Sequence, residues 1–91
     1  MTTADRPSLL LVEDDAALGP LIAELLAPDY RVQLATNGRD GLHHGLTGTW
    51  DVMVIDRGLP VMDGIALIAA LRSKGIATPI LILTALGDAG E

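Results

Sequence analysis

Three acidic side chains stand where predicted strands end, and carboxylates in such places can do chemistry. Glu13 and Asp14 follow the apolar run 9–12, and Asp56 closes the apolar run 52–55. If these two strands are neighbours in a parallel sheet, the three carboxylates meet at one edge of that sheet. Their mutual repulsion raises pKa values or requires a cation. Oxygen ligands with room for water favour Mg²⁺, and an Asp beside Mg²⁺ can act as the nucleophile in phosphoryl transfer.

Two further positions extend this candidate site. After Asp56 the chain continues RGLPVMDG, in which Gly58 allows close backbone approach and offers its carbonyl oxygen as a metal ligand. Thr84 ends the fourth apolar run, PILILT, and its hydroxyl can donate a hydrogen bond to a phosphoryl oxygen. Asp15 and Asp63 each stand just before a helical pattern. We therefore predict that these two side chains cap helices and do not bind the metal.

Four short strands are predicted to position these residues. The first, third and fourth are almost continuous apolar runs, which is typical of strands covered on both faces. The second alternates polar and apolar residues and is predicted to lie at an edge of the sheet. The predicted strands span residues 8–13, 30–35, 51–56 and 79–84.

Three helical patterns lie between the strands. The first has apolar residues at helical spacing up to Leu26, and Pro20 predicts a late start or a kink because proline lacks an N–H. The second, over residues 38–46, contains Gly41 and Gly45 and is predicted to be the weakest helix.

The third helix is predicted over residues 64–73. Its core-facing stripe is predicted around Ile65, Ile68, Ala69 and Leu71 with Arg72. Gly75 follows as a C-terminal cap, because glycine adopts the backbone conformation that ends many helices.

Alternation of strands and helices with short loops favours an α/β fold, a doubly wound parallel sheet. In such sheets ligands bind beyond the carboxyl ends of the strands, where the strand order reverses. Glu13, Asp14, Asp56 and Thr84 all fall at that edge. A chain of 91 residues is one domain at most.

Composition restricts the function further. Six basic against twelve acidic residues give a net charge of −6, which argues against direct nucleic-acid binding by this segment. The chain has no cysteine, so neither disulfides nor cysteine-ligated zinc arise. Its first residues resemble no signal peptide, and no apolar run reaches the roughly 18 residues of a membrane span. We expect a soluble cytoplasmic protein without a membrane partner.

The motifs LLLVEDD, VIDRGLPVMDG and LILTA, in this order and spacing, resemble the receiver domain of bacterial two-component response regulators. The resemblance covers essentially the whole chain and implies a flavodoxin-like sheet of five strands. It implies that Asp56 accepts a phosphoryl group from a partner sensor histidine kinase. It also implies that the protein is not itself an enzyme. Asp14, Asp56 and the Gly58 carbonyl would bind Mg²⁺ directly, and Glu13 would bind it through water. Thr84 would be the switch hydroxyl that turns toward the phosphoryl group.

The sequence also departs from that pattern. After Thr84 the family has a fourth helix, a fifth strand ending in Lys-Pro and a fifth helix, whereas this chain closes at Glu91. We therefore expect residues 1–91 to be a receiver domain incomplete at its C-terminus, with the last strand and helices missing. Lys74, the single lysine, ends the third helix and cannot replace the lysine that contacts phosphate. The fourth strand becomes an apolar edge, which predicts self-association or domain swapping.

Three functions compete. The first is phosphorelay signalling through Asp56, with transcription regulation as the output of the full-length protein. The second is a Mg²⁺-dependent phosphatase with an aspartyl-phosphate intermediate; the absence of an Asp-x-Asp pair after either acidic strand counts against it. The third is a receiver-like scaffold that is not phosphorylated, which the missing lysine favours and the retained acids oppose.

Overall fold

The computed structural model describes residues 5–84, in which four strands alternate with three helices. The strands have five, five, five and four residues, and each helix lies between two of them. In chain order the elements are β1 (Ser8–Val12), α1 (Leu18–Leu26), β2 (Arg31–Ala35), α2 (Gly38–Thr47), β3 (Val52–Asp56), α3 (Gly64–Ser73) and β4 (Ile80–Leu83).

The four strands form one parallel sheet in the order β2-β1-β3-β4. β1 therefore lies between β2 and β3, and the strand order reverses beside it. The pairing of Val12 with Ile55 brings the carboxyl ends of β1 and β3 to the same level. The predicted neighbour relation of these strands is confirmed, and so is the edge position of β2.

Apolar side chains cover both faces of the sheet, as a doubly wound fold requires. On one face Leu10, Val12, Met53 and Ile55 are buried together with residues of α3. On the other face Leu9, Leu11 and Val54 form a second cluster, against which residues of α1 pack. The continuous apolar runs of β1 and β3 follow from this burial on both sides.

Glycines let α2 approach the sheet and α3 closely. A Cβ on Gly41 would lie 2.9 Å from both Cγ atoms of Val12, and one on Gly45 would lie 2.7 Å from Leu71 Cδ2. Gly41 and Gly45, which predicted a weak helix, are therefore required for packing, because a larger side chain at either position would push α2 away from its neighbours.

The first helix begins late, as Pro20 predicted. A helix that started near Asp15 would have Pro20 in its second turn, but α1 begins at Leu18, so Pro20 is its third residue. Backbone N–H groups in the first turn have no acceptor within the helix, so a proline costs no hydrogen bond there.

The predicted bounds of α3 are correct, but its predicted apolar stripe is only partly so: Leu71 is buried and Ile68 packs against the core, as predicted. Leu67, which the prediction did not include, is buried as well, whereas Ile65, Ala69 and Arg72 are exposed. The helix meets the sheet along a face rotated from the predicted one, because Gly64 must fit against β3. Gly75 ends the helix with a φ of 83°, as predicted.

Within residues 5–84, β4 pairs only with β3 and forms the second edge of the sheet. Two of its four side chains are exposed apolar groups, Leu81 at 59% and Ile82 at 41%. No helix in this described range is long and apolar enough to span a bilayer.

Candidate functional site

The structure brings the three predicted acids together at the carboxyl edge of the sheet. Glu13 and Asp14 follow β1 directly, and Asp56 is the last residue of β3. One carboxylate oxygen from each residue lies within 4.8 Å of those of the other two. Three negative charges at this separation repel one another, and a divalent cation between them would relieve that repulsion.

Glu13 is the buried member of this acidic cluster, with 3% of its surface exposed. Burial raises the pKa of its carboxyl group, and the negative charges of Asp56 and Asp14 raise it further. A hydrogen bond from the Asp15 backbone N–H to Glu13 Oε2, 3.0 Å long, acts in the opposite direction and holds the side chain in place. Glu13 is thus held in the protein interior, whereas Asp14 and Asp56 are more exposed.

Asp56 is half-buried, and its own loop orients its carboxylate. The Gly58 N–H donates a hydrogen bond of 3.2 Å to Asp56 Oδ1. Among the residues from 5 to 84, none donates a hydrogen bond to Oδ2, which leaves this oxygen available for chemistry. Gly58 thus contacts Asp56 through its N–H, and the metal-binding role of its carbonyl stays a prediction.

A cleft of about 430 Å³ opens beside the acidic cluster. Thr84, at the end of β4, lines this cleft together with Asp56, so the predicted switch residue lies on the same rim. Of the described residues that line the cleft, none is basic, and Lys74 ends α3 away from it. The lining residues are Glu13, Asp14, Asp15, Leu18, Ile22, Asp56, Leu83 and Thr84.

Asp63 is the N-cap of α3, as predicted, whereas the N-cap of α1 is Ala17 and Asp15 binds the turn that leads into that helix. Asp15 Oδ1 accepts hydrogen bonds of 2.8 Å from the backbone N–H groups of Ala17 and Leu18. These bonds lower the pKa of Asp15, which is exposed. Asp63 Oδ1 accepts a hydrogen bond of 2.8 Å from the Ala66 N–H at the start of α3.

Sequence reasoning missed three residues that shape the site. Leu18 and Ile22 on α1 form an apolar wall of the cleft. Their spacing, about one and two helical turns after Asp14, could have predicted that they lie beside the acidic cluster. Gly64 lies so close to Asp56 that a Cβ on it would be 2.4 Å from the Asp56 carbonyl oxygen. Nothing in the sequence distinguished this glycine from a loop glycine.

Comparison with known proteins identifies this arrangement. A family profile described as the response regulator receiver domain matches residues 9–91. The transcriptional regulatory protein DltR of Streptococcus agalactiae is 42% identical over 78 residues, covering 85% of this chain and 35% of DltR. The transcriptional regulatory protein CusR of Escherichia coli is 40% identical over 80 residues, covering 87% of this chain and 35% of CusR.

Solved structures agree with the sequence comparison. The receiver domain of a Francisella response regulator superposes with a TM-score of 0.85 at 34% identity, over 89% of this chain and 68% of that one. The receiver domain of a Pseudomonas aeruginosa sensor histidine kinase, which holds a magnesium ion in its active site cleft, superposes with a TM-score of 0.84 at 30% identity. That match covers 94% of this chain and 75% of the other.

The chain therefore belongs to the response regulator receiver domain family, the signal-receiving module of phosphorelays, and its fold is the flavodoxin-like fold of its relatives. It spans about a third of the length of the curated relatives it matches. An acidic pocket of the kind that holds a metal is present in it, formed by Glu13, Asp14 and Asp56.

Proposed function

We propose that Asp56 accepts a phosphoryl group from a phosphohistidine of a sensor histidine kinase, in a reaction that requires Mg²⁺. The observation that carries this proposal is the approach of three carboxylates, from Glu13, Asp14 and Asp56, to within 4.8 Å of one another. A receiver domain that only served as a scaffold would have no need to keep a buried acid such as Glu13 beside two others, because such a cluster costs stability.

The donor set fits Mg²⁺. Asp14 and Asp56 would bind the ion directly, Glu13 would bind it through water, and the Gly58 carbonyl would complete the protein ligands. All of these donors are oxygens, which suits a hard cation that retains several waters. When bound, Mg²⁺ supplies positive charge that offsets the charge developing on the transferred phosphoryl oxygens.

The chain's own residues provide the nucleophile and its orientation. The Gly58 N–H holds Asp56 Oδ1, so Oδ2 attacks the phosphorus of the donor. The new P–O bond forms as the P–N bond to the donor imidazole breaks, and the leaving nitrogen keeps the bonding electron pair. Thr84 lies at the same cleft, where its hydroxyl donates a hydrogen bond to a phosphoryl oxygen of the product.

The curated relatives named above are transcriptional regulatory proteins, and we propose the same output for the full-length protein. Because this segment carries a net charge of −6, contact with DNA would fall to another part of that protein. We propose a cytoplasmic location and no enzymatic activity of the segment toward an external substrate. One relative, from Methanosarcina acetivorans, is an enzyme, a protein-glutamate methylesterase. This chain covers 24% of that protein, so we do not extend its activity to the segment.

The test is intact mass spectrometry after incubation with acetyl phosphate, with and without Mg²⁺. We expect one added phosphoryl group on the wild-type chain with Mg²⁺ and none on Asp56→Asn. No addition to a wild-type chain that circular dichroism shows to be folded would overturn the proposal. Turnover of phosphate esters by the wild type that is lost in Asp56→Asn would instead support the phosphatase alternative and contradict the proposed lack of enzymatic activity.

Self-association through β4 is a second, separate proposal. The exposed Leu81 and Ile82 on an edge strand favour pairing with another chain. Light scattering should detect dimers or larger species of the wild type, and Ile82→Lys should shift them toward monomer. A wild-type chain that is monomeric at all concentrations tested would contradict this proposal.

A further inference from the structure

The start of α3 is in direct contact with the backbone of Asp56. A Cβ added to Gly64 would lie 2.4 Å from the Asp56 carbonyl oxygen and 2.8 Å from Arg57 Cα. The Gly64 N–H also donates a hydrogen bond of 2.9 Å to the Arg57 carbonyl. Gly64 has no positive φ, so its backbone conformation suits any residue. The contact with Asp56 is therefore what requires a glycine at this position.

The loop between these residues is strained at its tip. The Met62 N–H donates a hydrogen bond of 2.8 Å to the Pro60 carbonyl, which closes a γ-turn around Val61 with a φ of 70°. Such a turn is rare and strained, above all for a β-branched residue. Val61 is 88% exposed, so its side chain gains nothing from the position. Contacts elsewhere in the loop must hold this conformation.

A second glycine contact holds the loop from the side of α2. A Cβ on Gly38, the first residue of α2, would lie 2.1 Å from the Met62 carbonyl oxygen and 2.8 Å from Met62 Cβ. The loop of residues 57–63 is thus fixed at both ends of its path, by Gly38 against Met62 and by Gly64 against Asp56.

We propose that Gly64 is a positioning residue for Asp56: its missing Cβ lets α3 press on the strand end and fixes the carboxylate relative to Glu13 and Asp14. The inference rests on the proposed function, because it concerns the same metal and phosphoryl site. Gly64 itself touches neither ion nor phosphoryl group and acts through the backbone of Asp56.

The size of the effect follows from the geometry. An alanine at position 64 requires the Asp56 carbonyl to retreat from 2.4 Å to 3.0–3.4 Å, a shift of about 0.6–1.0 Å. The obstacle is backbone, which cannot rotate away as a side chain end can. A ligand misplaced this far weakens metal binding by about tenfold or more, and a reacting group misplaced by about 1 Å slows its reaction by about 10²-fold.

The experiment compares Gly64→Ala with Gly45→Ala. Gly45 is the matched control, since it is also a buried helix glycine, but its Cβ would meet the side chain of Leu71 rather than backbone. Calorimetry gives the Kd for Mg²⁺, and mass spectrometry gives the rate of phosphorylation by acetyl phosphate at saturating Mg²⁺. Gly64→Ala should show about a tenfold higher Kd and about a 10²-fold lower rate, while Gly45→Ala should keep both wild-type values.

Each outcome decides between the claims. A competent wild type with an unchanged Gly64→Ala contradicts the positioning role alone, and a wild type that neither binds Mg²⁺ nor accepts phosphate contradicts the proposed function as well. An equal loss in Gly45→Ala also overturns the positioning role, because the loss would then be structural. If Gly64→Ala does not fold, amide hydrogen exchange of wild-type Gly64 decides: slow exchange supports the contact, and exchange at the rate of an unprotected amide overturns it.

Discussion

Replacement of Asp56 by Asn should stabilise the metal-free protein, because it removes one of three crowded negative charges. Asp56 lies with a carboxylate oxygen within 4.8 Å of oxygens of both Glu13 and Asp14. Asn keeps the shape of Asp, and its Oδ1 can still accept the Gly58 N–H. The substitution therefore removes repulsion without removing a hydrogen bond or creating a cavity.

The magnitude follows from Coulomb's law at this separation. Two unit charges 4.8 Å apart repel by about 3 kcal/mol at an effective dielectric constant of about 20, and by about 1 kcal/mol in bulk water. The cluster opens to a cleft, so we expect the free energy of unfolding to rise by about 1–3 kcal/mol. In a domain of this size, each kcal/mol shifts the melting temperature by about 4–8 °C.

Thermal and urea unfolding in EDTA measure this gain. Asp63→Asn is the matched control, because it removes one charge from the same loop but lies outside the acidic cluster, and Asn also caps helices well. We expect little change in that control. A metal-free Asp56→Asn that is no more stable than the wild type would refute the electrostatic reasoning, since the three carboxylates would then not repel one another appreciably.

The remaining predictions concern single positions around the site. Because the pKa of Glu13 is raised in the fold, the metal-free wild type should lose stability as pH rises from 4.5 through that raised pKa, and melting curves of Glu13→Gln should lack this loss. Asp15→Ala should melt at a lower temperature than the wild type at neutral pH, and the difference should shrink as pH falls below 3.8 toward the lowered pKa of Asp15. Val61→Gly should raise the free energy of unfolding in urea by about 1 kcal/mol, because glycine adopts a φ of 70° without strain. A lower value for Val61→Gly would mean that the turn is not strained.

Most of the sheet could be predicted because burial on both faces leaves a direct mark on the sequence. The apolar runs of β1 and β3 are continuous, and the acids that end them point to the edge where ligands bind. The alternation in β2 indicated an edge strand correctly. Helix starts were predictable where backbone chemistry decides them, as at Pro20.

What could not be predicted depends on contacts between elements that are distant in sequence. The buried face of α3 was predicted to include Ile65 as well as Leu71, yet Leu67 lies beside Leu71 in the core, because the close approach of Gly64 to β3 sets the rotation of the helix. Periodicity alone gives a helix more than one plausible apolar face. The contact between Gly64 and Asp56 likewise has no sequence signal, since a glycine needed for proximity looks the same as one needed for a turn.

The most direct test of phosphoryl transfer to the acidic cluster is to locate the phosphoryl group. The wild-type chain would be treated with acetyl phosphate and Mg²⁺, reduced with borohydride to convert aspartyl phosphate to homoserine, digested, and sequenced by tandem mass spectrometry. We expect the label at Asp56 alone, and its loss when EDTA is present during phosphorylation. A label on Asp14 or Glu13, or one that forms equally well without Mg²⁺, would contradict the assignment of Asp56 as the acceptor in a metal-dependent site.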